Sequence, residues 1–422
     1  MRIAIIGSGQ VGTALGEGWT RAGHEVIYGV RDVAKSSPHA GAKLDSVRNA
    51  TVASEVVVLA TPWPAVSDAL SAAGDLEGKP LLDATNPIGA GFELTYGQTT
   101  SGGEYVASVA QNARVVKAFN STGFENMANP RYGETRVVLP VAGDDAGAVE
   151  VAMRLATDLG FEPIALPGLA RARTIEPFAM LWIKLALLWG QGRSIAYGLA
   201  KRAAGERAPE MHPTKHPRTL TVVGSGSIGG ALARAWLRVG HTVRIATRDA
   251  NDKDVRELVA LGAKALPIEG SADGAEAVVF AIPAGVVLET AKKMGNLEGK
   301  VLVDCTNAIG PGMALVYGHT TSSSEKIAEA LPGVKVVRAF NQQGAETLRN
   351  PMFGGRPATN FIAADDAGAR SLVCELSKDV GLDSVEAGPL SSARYLEPAT
   401  LLWLSLSQAI GTREFGISLL RR

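Results

Sequence analysis

A chain of 422 residues has room for two domains of about 200 residues each. Its 42 basic and 42 acidic side chains balance, so net charge draws it neither to nucleic acid nor to an anionic membrane. Hydrophobic residues make up 46% and aromatic ones only 5%, which calls for an aliphatic, alanine- and glycine-packed core; two cysteines, Cys305 and Cys374, exclude a disulfide framework or a zinc pattern and suit a reducing cytoplasm.

The chain opens MRIAIIGSG, where glycines interrupt the apolar run too early for a signal peptide. RIAII (2–6) reads as a buried strand, QVGTALGEGWTRAG as a helix ending near Gly23, and EVIYG as the second strand. EVVVLAT (55–61), PLLDAT (80–85), RVVKAF (114–119) and RVVLPVA (136–142) are further strand-like runs. Short apolar strands alternating with helices predict a mostly parallel, doubly wound α/β sheet covered on both faces. Residues 169–203 read as helices packed on the sheet or on a neighbour. Within them FAMLWIKLALLWG (178–190) holds Lys184 and is too short to span a bilayer, so it reads as a buried helix. GERAPEMHPTKHPR (205–218) is proline- and charge-rich and reads as a linker. Its His212 and His216 lack nearby acidic or cysteine partners, so no metal site is expected.

Beyond the linker the text repeats. IIGSGQVGTAL (5–15) is answered by VVGSGSIGGAL (222–232), LLDATNPIG (81–89) by LVDCTNAIG (302–310), VAGDDAGA (141–148) by IAADDAGA (362–369), and ARTIEPFAMLW (172–182) by ARYLEPATLLW (393–403). The first pair is offset by 217 residues and the others by 221, so the chain is a tandem duplication: copy one at 1–204, the linker, and copy two at 219–422. Each copy is expected to be a Rossmann domain with a small helical C-terminal part.

GSGQVG and GSGSIG both fit G-x-G-x-x-G, each after an apolar strand and opening a helix. The first glycine allows a tight turn, the second lets a pyrophosphate approach the backbone, and the third lets helix and strand pack closely. The expected cradles are Gly7, Ser8, Gly9, Gln10, Val11 and Gly12 in copy one, and Gly224, Ser225, Gly226, Ser227, Ile228 and Gly229 in copy two. At the tip of the second strand an NAD site would carry an acidic residue. Here Arg31 and Arg248 follow the tips instead, suited to a 2′-phosphate, with Thr247 adding a hydroxyl in copy two. Asp32 and Asp249 leave NAD open, but they follow the arginines and suit the capping of the next segment. The expected cofactor is NADP(H).

Ligands of such a sheet collect outside the carboxyl ends of its strands. The residues there are Thr61, Pro62 and Trp63, Asn86, and Ala118, Phe119 and Asn120 in copy one. Copy two has Ile282 and Pro283, Asn307, and Ala339, Phe340 and Asn341. The prolines suit a wall for a nicotinamide ring, and each asparagine either contacts the ring or closes a turn with its own backbone. No acid–base machinery stands out. His24 and His241 sit in turns, and His319 is matched by Gln98. Hydride passing between two redox cofactors would need little more than placement.

Each copy resembles the F420H2:NADP oxidoreductase family, whose fold also forms the NADPH-binding domain of the six-transmembrane metalloreductases. The features that carry the likeness are GSGQVG, the arginine of GVRD, TPW at 61–63, KAFN at 117–120, GDD at 143–145 and the closing AR…EP…LW segment. The resemblance implies NADPH-dependent hydride transfer to F420, a flavin or a similar planar acceptor. A reductase of small carbonyls or imines and a non-catalytic NADP-binding sensor are the alternatives. It also implies that the fused copies form an intramolecular pseudo-dimer, with their C-terminal helices (about 169–203 and 390–422) meeting across a pseudo-twofold axis and further homo-oligomerisation open. Trp63 has Ala284 as its counterpart, so the two pockets are expected to differ.

Overall fold

The computed structural model describes residues 1–35, 42–202 and 205–422, and the boundary drawn at 204 lies outside the described residues. The chain forms two compact units, and the division is not a single cut. Unit one holds 1–199 together with 404–411 and 419–422, and unit two holds 200–403 together with 412–418.

Unit one is built on eight strands: β1 (Arg2–Ile6), β2 (Glu25–Val30), β3 (Lys43–Ser46), β4 (Val56–Leu59), β5 (Pro80–Asp83), β6 (Arg114–Lys117), β7 (Val138–Gly143) and β8 (Glu162–Pro167). Their order in the sheet is β8-β7-β6-β5-β4-β1-β2-β3, parallel throughout except where β7 runs against β6. From β1 the chain moves outward to β2 and β3, then returns to place β4 on the other side. That reversal opens the crevice in which such sheets bind ligands. Every residue of β4, VVVL, is buried, as a central strand covered on both faces requires. The edge strand β3 (KLDS) carries no apolar run that would announce it, and in β8 (EPIALP) prolines bracket a short one. Their polar residues and prolines are tolerated because an edge strand leaves one row of backbone groups unpaired.

Unit two repeats the plan. After β9 (Ile195–Lys201) come β10 (Thr219–Val223), β11 (Thr242–Thr247), β12 (Lys264–Pro267), β13 (Ala277–Phe280), β14 (Val301–Asp304), β15 (Lys335–Arg338), β16 (Thr359–Ala364) and β17 (Asp383–Glu386). Their order is β12-β11-β10-β13-β14-β15-β16-β17, with β16 antiparallel to β15. Residues 205–218 contain no helix or strand and lie on unit two: Glu206 accepts the N–H groups of Gly354 and Gly355, and Thr214 Oγ1 donates to Asp379.

The helices that shape each site are α1 (Gln10–Arg21), α2 (Gly102–Val109), α3 (Ala172–Leu187), α4 (Ser227–Arg238), α5 (Ser323–Ala330) and α6 (Ala393–Ile410). Among the described residues no helix is long and apolar enough to cross a membrane. The C-terminal parts are not wholly helical. β9 and β18 (Phe415–Arg421) are strands that follow α3 and α6. Gly190 and Gly192 after α3, and Gly411 after α6, take positive φ and stop the helices, and SIAYGLAK and FGISLLR then extend.

Residues 419–422 finish the core of unit one. Leu420 is buried in its hydrophobic cluster with Ala196, and the Arg422 guanidinium lies 4.2 Å over the Tyr132 ring while donating to the Asn129 and Arg131 carbonyls. Arg202 does the same for unit two, 4.3 Å over Phe353 and donating to the carbonyls of Asn350 and Met352. Leu420→Ala is therefore expected to destabilise unit one by about 2–5 kcal/mol, the usual range for truncating a buried leucine. Urea unfolding followed through unit-one tryptophans checks this, and an unchanged midpoint would refute it.

Candidate active site

The glycine loops are set by steric limits that recur in both copies. Gly7 has φ +112°, and a Cβ there would lie 2.5 Å from the Ala60 carbonyl oxygen. A Cβ on Gly12 would lie 2.0 Å from the carbonyl oxygen of Gly7, so the third glycine lets α1 start against the loop. A Cβ on Gly9 would meet nothing within 4 Å, leaving the N-terminus of α1 open to a ligand. Gly224, Gly229 and Gly226 behave in the same three ways. A backbone laid open at a helix N-terminus suits a pyrophosphate.

Around the loop of unit one lies a cavity of about 450 Å³, within the range of small-molecule sites. It brings together the expected Gly7, Ser8, Gly9, Arg31, Thr61 and Pro62, which are drawn from β1, β2 and β4. A shallower hollow of about 520 Å³ on the far side of Ser8 and Gly9 includes Gln10 and Phe124. Arg31 and Arg248 are exposed at their strand tips. Asp32 accepts the Ala34 N–H and Asp249 the Asn251 N–H, so both carboxylates are engaged in local turns. Thr247 is also engaged, exchanging hydrogen bonds with the Asp249 backbone. Val11 and Ile228 pack against the cores behind the loops.

Phe119 and Phe340 do not line these cavities. Both are wholly buried at positive φ, 65° and 60°, with their rings edge-on to Trp19 and Trp236 at 5.5 Å and 5.9 Å. Bulky residues rarely adopt that conformation, and here the buried ring pins the turn that delivers the next asparagine. Ala118 and Ala339 are buried beside them. Asn120 Nδ2 donates to Asn86 Oδ1 at 3.0 Å, and Asn86 Nδ2 donates to the Asn120 carbonyl at 2.9 Å, which ties the ends of β5 and β6 together.

Beneath that tie is a feature the sequence reading did not single out. Lys117 is fully buried, with Nζ 2.9 Å from Asp83 Oδ2, 3.0 Å from Glu176 Oε1 and donating to the Thr85 carbonyl at 2.7 Å. Glu176, on α3, accepts the N–H groups of Gly102 and Gly103 at 2.8 and 2.9 Å. The first turn of α2 thus stabilises the carboxylate that Lys117 alone cannot balance. Burial opposes the Lys117 ammonium, but Asp83 and Glu176 outweigh it and hold its pKa above the ordinary lysine value. Burial raises the Glu176 carboxyl against the pull of Lys117 and the Gly102 N–H. Unit two rebuilds the cluster from Arg338, Asp304 and Glu397, with the Arg338–Asp304 pair at 2.8 Å. The clue was present in KAFN, DATN and the EP of the closing segment. Nothing local in those motifs shows that their charges are buried together.

His24 and His241 pair with Asp158 and Asp379 at 3.0 and 2.9 Å, as turn anchors. Tyr197 and Lys201 have a spacing that on a helix would suit proton transfer. They lie on a strand, where Tyr197 is stacked on Phe178 at 3.8 Å and burial drives its phenol well above the ordinary value. After Pro62, Trp63 joins Tyr96 and Tyr105 in a half-buried aromatic trio with centroids 5.5–5.7 Å apart. Unit two has Ala284 and Lys326 in place of Trp63 and Tyr105.

Comparison with known proteins identifies the family. The profile of the family described as "NADP oxidoreductase coenzyme F420-dependent" matches residues 2–87 and again 219–308, once in each copy. The F420-dependent NADP reductase of Methanothermobacter thermautotrophicus is 33% identical over 207 residues, covering 44% of this chain and 89% of that protein. Metalloreductase STEAP3 of Rattus norvegicus is 29% identical over 201 residues, 47% of this chain, and the match spans 40% of that relative's length. A solved structure of a candidate F420-dependent NADP-reductase from Arthrobacter sp. fb24 is 29% identical, covers 46% of this chain and 96% of its own, and has a TM-score of 0.43.

Removing the cation of the buried cluster leaves two carboxyl groups without it. Lys117→Met is expected to cost about 3–5 kcal/mol at neutral pH. The Glu176 pKa is already raised in the folded protein, so the contribution of its protonated form is present below its unfolded value, about 4.3, and fades as pH rises through the folded value. The deficit of the variant should therefore be smallest in mild acid and grow toward neutrality. Denaturant midpoints across that range check the sign, and a deficit independent of pH would contradict it.

Proposed function

The chain belongs to the F420-dependent NADP oxidoreductase family, and on that premise we propose that it passes hydride between NADP(H) and a planar acceptor of the deazaflavin or flavin class. The observation that carries the acceptor class is the trio of Trp63, Tyr96 and Tyr105, which directly follows the cavity-lining Pro62. Half-buried rings offer a flat, apolar surface on which a fused ring system can stack.

The residues present fit the dinucleotide. Gly9 leaves the α1 N-terminus approachable, and Arg31 offers a fork for a 2′-phosphate at the cavity wall. When bound, NADPH supplies the hydride, and the electron chemistry belongs to the two ring systems. What the chain contributes is orientation: Thr61 and Pro62 bound the cavity, and the Asn86–Asn120 tie holds the ends of β5 and β6 in register. No side chain is required to exchange a proton with the nicotinamide.

Two measurements test the reading. NADPH consumption is followed after mixing with F420, FMN, a simple ketone and a cyclic imine in turn. Turnover of F420 or FMN is expected, and turnover of the ketone or imine alone would overturn the acceptor class. Trp63→Ala should lower kcat/KM for the planar acceptor by about 3- to 10-fold, the worth of one aromatic contact. For the cofactor, Arg31→Ala should weaken NADPH binding by about 10- to 100-fold, the worth of a charge-assisted hydrogen bond, with little effect on NADH. Equal losses for both dinucleotides would remove Arg31 from the 2′-phosphate site.

A further inference from the structure

The two units keep the same glycine loop but differ in unsatisfied polarity at the strand ends. In unit one, Thr61 Oγ1 and Asn120 Oδ1 are buried and have no hydrogen-bond partner. Thr61 lines the cavity next to the glycine loop, and Asn120 is 3% exposed. A buried oxygen without a donor costs about 1–3 kcal/mol, so one past the end of β4 and another past the end of β6 need an explanation.

Unit two removes both by independent changes. The counterpart of Thr61 is Ile282, which has no hydroxyl. The counterpart of Ser121 is Gln342, whose Nε2 donates to Asn341 Oδ1. Ala179 is matched by Thr400, whose hydroxyl donates to the Asn341 carbonyl at 2.8 Å, lies 3.0 Å from Asn307 Oδ1, and accepts from Asn341 Nδ2 at 3.0 Å. Lys117 is matched by Arg338, which sends Nη2 on to Asn307 Oδ1 at 3.1 Å. Unit two has unpartnered atoms of its own, among them Arg338 Nε and Glu397 Oε2 in its ion cluster and Gln343 Oε1 in the loop after β15, but none is the counterpart of Thr61 Oγ1 or Asn120 Oδ1.

We infer that the two copies have divided their labour: both keep the cradle for the adenosine-phosphate part of NADP(H), and only unit one holds the nicotinamide end, through Thr61 Oγ1 and Asn120 Oδ1. A carboxamide NH2 is a hydrogen-bond donor of the kind an open acceptor oxygen rewards. In unit two the same crevice presents an isoleucine and amides already bound to one another, which reward no amide ligand. The loss of Trp63 and Tyr105 from unit two points the same way. This rests on the NADP(H) reading above and adds to it which copy carries the reacting ring.

The test compares NADPH with 2′-phospho-ADP-ribose, which lacks nicotinamide, by calorimetric titration of the full chain. One site per chain is expected to gain at least tenfold in affinity from the nicotinamide, and the other less than threefold. Thr61→Ile, which installs the residue of unit two, should abolish most of that gain, read as the ratio of the two affinities in the variant. Thr61→Ser should keep it. A single NADPH site per chain would overturn the retained cradle of unit two. Two sites with equal gains, or a gain that survives Thr61→Ile, would overturn it. Should the isoleucine variant fail to fold, the wild-type comparison of the two ligands decides alone. Failure of every acceptor to oxidise NADPH would sink the proposed reaction and leave this affinity pattern readable, so the two ideas fail separately.

Discussion

A buried lysine held between two carboxylates is the constraint around which unit one is organised. Lys117 ends β6, Asp83 ends β5, and Glu176 lies on α3 with its oxygens on the first N–H groups of α2. Four elements therefore meet at one charge cluster, all of it out of water. Paired charges inside a protein do not stabilise much relative to apolar packing, but an unpaired one is severely penalised, so such a cluster selects one arrangement over its neighbours. Here the selected arrangement brings the carboxyl ends of β5 and β6 to a fixed relative height. The Asn86–Asn120 tie and the turn at Phe119 then follow.

The same scaffold in unit two shows which parts are required and which are free. The charges persist as Arg338, Asp304 and Glu397, although glycines 102 and 103 have become Ser323 and Ser324. The serine hydroxyls join the cluster: Ser323 donates to Glu397, and Ser324 donates to Asp304 at 2.5 Å. An arginine has more donors than a lysine, and the surplus reaches Asn307. Structural demand is thus met in both copies by different chemistry. Unit two has moreover spent the oxygens of Asn307 and Asn341 on internal bonds, whereas unit one has left Thr61 Oγ1 and Asn120 Oδ1 unspent.

This contrast separates two meanings of a repeated motif. Duplication alone explains why KAFN and RAFN both occur. The environment of each asparagine, read through its partners, distinguishes a group closed upon itself from a group still able to accept. Trp63 and Tyr105 belong to the second kind of feature, since they occur only in the copy with Asn120 Oδ1 open, whereas Tyr96 is kept in the other as Tyr317.

The sequence by itself determined the duplication, the alternating α/β plan, the two glycine loops and the arginines at the second strand tips. These are local signals: a glycine spacing, an apolar run, a residue just past a strand end. The tertiary structure decided the rest because the deciding partners are far apart in the chain. Lys117 meets Asp83 across 34 residues and Gly102 meets Glu176 across 74, so no window of sequence could show that these charges are buried together. The edge strands and the strands that follow α3 and α6 were likewise hidden, for their residues carry little periodicity and gain their conformation from the sheet or core they join. Whether Asn120 and Asn341 do the same work was also undecidable from two identical letters. Thr61, Ser121 and Ala179 in one unit, and Ile282, Gln342 and Thr400 in the other, set the hydrogen-bond balance around them only once the chain had folded.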